Sequence, residues 1–116
     1  PPPPGPGIRA AYPEDMHRVG PGPGWLSGNR NSVTVVMTSK LSVVWTAIKK
    51  GATLCGHEVD GPITMQVLSG AIQFGVSGEP RRLAAGTVIA LDNGIPHDIR
   101  ALQDSEILLT LVKDVK

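Results

Sequence analysis

From residue 32 onward, short runs rich in apolar and β-branched residues follow one another between polar or Gly-containing steps, and no stretch sustains the 3.6-residue period of a helix. SVTVVM (Ser32 to Met37) and LSVVWTAI (Leu41 to Ile48) are rich in β-branched side chains and are joined by the polar step Thr38-Ser39-Lys40, which predicts a hairpin. ITMQVLSG predicts a strand closed by Gly70, and AIQFGV and RRLAA flank a turn at Gly78-Glu79-Pro80. TVIAL runs into the tight step Asp92-Asn93-Gly94, and HDIRAL and EILLTLV complete the pattern. About eight short strands with regularly spaced turn signals predict an all-β fold, a single antiparallel barrel or jelly roll.

The first thirty-one residues differ in kind, holding eight of the eleven prolines and six of the fourteen glycines. That mixture favours polyproline II and open turns over hydrogen-bonded ladders. The chain therefore divides into an irregular arm, 1–31, and a barrel domain, 32–116. A proline-rich segment can be a ligand for an aromatic groove, but a tail or linker is the simpler reading. Trp25-Leu26 is the arm's strong apolar anchor, which is expected to hold it on the barrel or on a neighbouring copy. His17, in the same arm, is expected to be solvated.

Composition narrows the function classes. A chain of 116 residues can bury one core but not two barrels. The net charge of +1 has no basic stripe behind it, so no nucleic-acid partner is expected. The four aromatic residues, Tyr12, Trp25, Trp45 and Phe74, are too few for a base-stacking platform. The lone cysteine, Cys55, excludes an internal disulfide and suits a reducing compartment. No apolar run approaches the roughly twenty residues of a membrane span, and no signal-like segment opens the sequence, so a cytoplasmic location without membrane contact is expected.

Two segments carry the candidate chemistry. GATLCGHEVDGPITMQVLSG sets Gly51, His57, Val59, Ile63 and Gly70 at fixed spacing, and GTVIALDNGIPHDIRA does the same for Gly86, Asp92, Gly94, His97 and Ala101. These offsets resemble the two signature motifs of the cupins, over about fifty residues, a joint match far more specific than any single His or Gly. The resemblance implies a cupin β-barrel in which two His and a Glu of the first motif and a His of the second converge on a metal. It transfers only to His57 and His97, because Val59 and Ile63 occupy the other two ligand stations and neither can donate a lone pair. Asp92, where proline is usual, is expected still to make the turn, and Gly70 and Gly94 to supply positive φ.

Strand alternation extends this reading. If His57 points inward, so do Cys55 and Val59 on a continuous strand, while Glu58 and Asp60 form a solvated rim; Ile63, Met65 and Val67 share one face, and Thr64, Gln66 and Leu68 the other. The expected ligand pocket is thus Cys55, His57, Val59, Ile63, Met65 and His97. Gly56 and Gly61-Pro62 interrupt the run, so a bulge that swings Gln66 inward is the alternative. Two imidazoles alone are too few for a tight centre, so no firm cofactor is expected. The competing expectation is a weakly bound divalent transition metal on His57 and His97, helped by Cys55 or Gln66. Cys55 beside His57 is either inert packing or an activated thiol, and packing is the preferred reading.

Three functions compete. The preferred one is a small-molecule binding or sensing barrel without a tight metal. The second is a metal-dependent enzyme of the cupin kind, an oxygenase or isomerase, using His57 and His97. The third is an assembly module with a vestigial pocket. The resemblance to single-domain cupins implies a homodimer in each case, and the outward apolar positions Leu68, Val88 and Ala90 are compatible with its covered surface.

Overall fold

The first two runs of β-branched residues form strands β1 (Arg30–Met37) and β2 (Leu41–Ile48), paired antiparallel across Thr38-Ser39-Lys40 as the hairpin pattern predicts. β1 begins at Arg30, two residues before the predicted start, and its register slips between Thr34 and Val36. Residues 5–12, 29–57, 62–92 and 94–112 are described by the computed structural model, 55–57 by their backbone alone. The expectations for His17, Trp25-Leu26, Glu58, Val59, Asp60 and Asn93 fall outside these residues, as do those for the side chains of Cys55 and His57.

Seven further strands follow: β3 (Thr53–His57), β4 (Ile63–Ser69), β5 (Ala71–Val76), β6 (Glu79–Ala84), β7 (Val88–Leu91), β8 (His97–Ala101) and β9 (Ser105–Val112). The described residues thus form nine strands beside the expected eight or so, the additional one being β3, whose TLCGH sequence lacks a β-branched run. They form two antiparallel sheets, a five-stranded one in the order β1-β2-β9-β4-β7 and a four-stranded one in the order β3-β8-β5-β6. No helix long and apolar enough to cross a membrane occurs among the described residues.

The two inner faces close on a core of Ile48, Met65, Val67, Ile72, Phe74, Ile99 and Ile107, with Leu54, Val76, Leu83, Ile89, Leu91 and Leu109 packed around it. Burying each large aliphatic side chain contributes about 1.5–3 kcal/mol. β4 shows the alternation plainly: Ile63, Met65 and Val67 are buried while Thr64 is exposed.

Two turns matter for the site. The β5–β6 turn falls at Ser77-Gly78, not at the predicted Gly78-Glu79-Pro80. Ser77 and Gly78 both have positive φ, 54° and 77°, the two-residue loop that matches the twist of a hairpin. Val76 then pairs directly with Glu79, and Pro80 is tolerated because β6 is an edge strand. At the β4–β5 turn, Gly70 has φ 81°, and a Cβ there would meet the Ser105 side chain, with Asp104 O at 2.5 Å and Ser105 Cα at 2.8 Å. Ser105 fills that place: its Oγ accepts from Ala71 N at 3.1 Å and donates to Gln103 O at 2.9 Å, or to Ala71 O at 3.1 Å.

Candidate functional site

The ladders of the four-stranded sheet align its inner face in rows. One row reads Glu79, Val76, His97, His57 across β6, β5, β8 and β3, and the next reads Arg81, Phe74, Ile99, Leu54. Val76, Phe74, Ile99 and Leu54 pack on the core, so the described side chains of both rows share the face that carries it, while His57 is placed by its backbone pairing alone. The two motif histidines, forty positions apart in sequence, are therefore direct partners in the β3–β8 ladder.

His97 is 5% exposed, and its setting fixes its chemistry. Its Nδ1–H donates to Ile95 O at 3.3 Å, which orients the ring and, in the neutral form, leaves the lone pair on Nε2. Its face lies on Phe74, with centroids 5.5 Å apart and planes inclined by 20°. The hydrogen bond and the stack together hold the ring in one orientation.

The remaining sequence candidates divide. Ile63 and Met65 are on the inner face of β4, 5% and 2% exposed. Gln66 lies on the opposite face, between buried Met65 and Val67; the β4–β9 ladder runs unbroken from Ile63 to Val67, so no bulge turns it inward. The slip in that ladder comes later, between Val67 and Ser69. Alternation counted back from His57 does not carry to Cys55 either. The β3–β8 register shifts between Leu54 and His57, and Leu54 is the residue packed on the core. A bulge re-aims a strand in this way because two residues face one on the partner.

A cavity of ≈ 370 Å³ opens beside this face, between the free edges of β6 and β7. Its walls are Phe74, Val76, Leu83, Ile89 and Leu91, and its polar groups are Glu79 and Arg81. The sequence reading missed both charged residues because it began the strand at Arg81 and left Glu79 in the turn. Recognising Ser77-Gly78 as a two-residue hairpin loop would have found them.

Two further concavities lie on outer faces. One, of ≈ 540 Å³, sits over Gly75, edged by Thr53, Gln73, Asp98 and Arg100. The other, of ≈ 630 Å³, lies between residues 9–12 of the arm and Val36, Val43, Trp45 and Leu108 on the outer face of the five-stranded sheet.

A metal is tested by the donors present. Ile63, at one ligand station, is buried hydrocarbon, and among the described residues no three His, Cys, Asp or Glu side chains are grouped to hold an ion. Ile63 therefore supplies no donor at its station.

No family model and no curated protein matches the sequence. Solved structures do. The chain is similar to a conserved protein of unknown function from Streptococcus pyogenes, at 29% identity and TM-score 0.69, over 75% of this chain and 76% of that one. It is similar to a cupin 2 conserved barrel domain protein from Leptotrichia buccalis at 28% identity and TM-score 0.69, over 75% of this chain and 42% of the other. A salicylate 1,2-dioxygenase from Pseudoaminobacter salicylatoxidans, solved with gentisate, shares the fold at 16% identity and TM-score 0.68, over 72% of this chain and 25% of that one.

Proposed function

As this chain is a small cupin-type domain, we propose that it binds a small organic molecule inside its barrel without a tightly held metal. Fold alone does not fix function, so the reading rests on the site. The observation that carries it is the buried, pre-oriented His97 on Phe74, with Phe74 also forming a wall of the ≈ 370 Å³ apolar cavity. A largely pre-formed apolar cleft with a few fixed polar groups is the usual form of a small-molecule site. The test is protein-observed NMR screening of protein prepared without added metal, whose metal content is measured on the same sample. Hits that broaden the Phe74 and Ile89 resonances are expected. A full library without such a hit would remove the reading.

A metal-dependent enzyme is the second reading, favoured by the direct pairing of His57 with His97 in the β3–β8 ladder. It requires close to one equivalent of transition metal in the purified protein and a large fall in Tm on chelation, since a tight ion stabilises the folded state by RT ln(1 + [L]/Kd). The small-molecule reading expects Tm to be nearly unchanged.

Pairing of two copies through the outer face of β4 and β7 accompanies either reading. Val88 is 60% exposed there, beside exposed Ala90 and half-buried Leu68. Light scattering should give twice the chain mass, and Val88→Asp should shift it toward one chain; a single-chain mass for the unsubstituted protein at all concentrations would dismiss the pairing.

A further inference from the structure

Glu79 and Arg81 occupy inner-face positions of β6, the parity at which Leu83 packs on the core. Inner positions of a sandwich are ordinarily apolar, and a charge is kept at one only where it stays hydrated or meets a partner. Arg81 stands directly across the ladder from Phe74, at the rim of the cavity between β6 and β7. Among the described residues its side chain has no hydrogen-bond or ion-pair partner. Its guanidinium thus sits above walls formed by Phe74, Val76, Leu83, Ile89 and Leu91.

We propose that this slot is a carboxylate subsite, in which Arg81 takes the carboxylate of a small organic acid whose apolar body lies on Phe74, Ile89 and Leu91. The guanidinium presents a planar fork of donors that matches a carboxylate in a bidentate pair, and it is less strongly hydrated than an ammonium. Glu79 sits two residues away on the same face, so its negative charge selects a monoanion with an apolar tail over a dicarboxylate or a phosphate. The body of the acid reaches Phe74, whose ring carries its presence to the stacked His97. This inference rests on the small-molecule reading above and names its ligand class.

The experiment titrates the full chain with phenylacetate and with its neutral isostere phenylacetamide, following the methyl resonances of Ile89 and Leu91. Phenylacetate is expected to shift both and to bind at least about tenfold more tightly than the amide. Arg81→Gln, a change at an exposed strand position, should lower phenylacetate affinity by about the same factor and leave the amide unchanged. Glu79→Gln should tighten phenylacetate and admit phenylsuccinate. Equal affinity for acid and amide, or an acid affinity indifferent to Arg81→Gln, would overturn the carboxylate subsite while leaving small-molecule binding intact. If neither compound moves any interior methyl up to its solubility limit, the subsite fails; failure of the wider library as well would remove the small-molecule reading with it.

Discussion

The imidazole of His97 is stacked on the ring of Phe74, 5.5 Å between centroids, although the two residues are diagonal and not direct partners in the β5–β8 ladder. Diagonal neighbours on one face of a sheet are within reach of aromatic side chains. The contact links the motif histidine to the wall of the β6–β7 slot, so one ring senses both.

Phe74→Leu keeps the wall apolar and removes the stack. A loss of about 1 kcal/mol is expected by urea denaturation, as for other near-volume-conserving core changes. The His97 ring protons should also move downfield as the shielding ring disappears. Unmoved His97 resonances in a folded variant would mean that the stack is not populated in solution.

Glu106 is held on the outer face by Trp45 Nε1, which donates at 2.9 Å, and by Ser69 Oγ, which donates at 3.2 Å. Hydrogen bonds to a charged acceptor contribute about 1.5–3 kcal/mol, so Glu106→Ala should cost roughly that much. In a Trp25→Phe background, where Trp45 is the sole indole, its emission should shift to the red. Glu106→Gln should retain part of the stability, and an equal loss for both variants would argue against the bonds.

The glycines at two motif stations should respond differently to the same substitution. Gly70→Ala forces a Cβ into Ser105 and the Asp104 carbonyl at positive φ, and should cost roughly 2–5 kcal/mol from strain and overlap together. Gly94→Ala, at φ 79° with open space around it, should cost only about 1 kcal/mol. Comparable Tm values for the two variants would contradict the packing described at Gly70.

Restoring the missing ligand types tests the motif mapping. Val59→His with Ile63→Glu should bind a divalent transition metal far more tightly than the unsubstituted protein. Burying a carboxylate at Ile63, 5% exposed, costs several kcal/mol without a cation, so the double variant should be less stable when metal-free and recover on adding metal. Calorimetry showing no gain in affinity, with circular dichroism showing an intact barrel, would mean that these stations do not line one site.

What the sequence determined by itself was local. Apolar and β-branched runs between turn signals marked every strand except β3, those runs named the β1–β2 hairpin, and the double motif spacing pointed to the barrel and set apart His57 and His97, which pair in the β3–β8 ladder. Each of these signals is carried by residues a few positions apart, or by a spacing that a recurring fold has fixed. The tertiary structure decided which strands are neighbours: β9, last in the chain, lies between β2 and β4, and β8 lies between β3 and β5. Those pairings set the two adjacent rows in which Glu79 and Arg81 join the face of Val76 and Phe74, and they place Phe74 under His97. They also include the slip between Leu54 and His57, which no alternation count can foresee. The reason is physical: alternation fixes which side chains of a strand share a face, but the partner strand and its register are chosen by long-range packing, where one turn residue or one bulge exchanges the two faces.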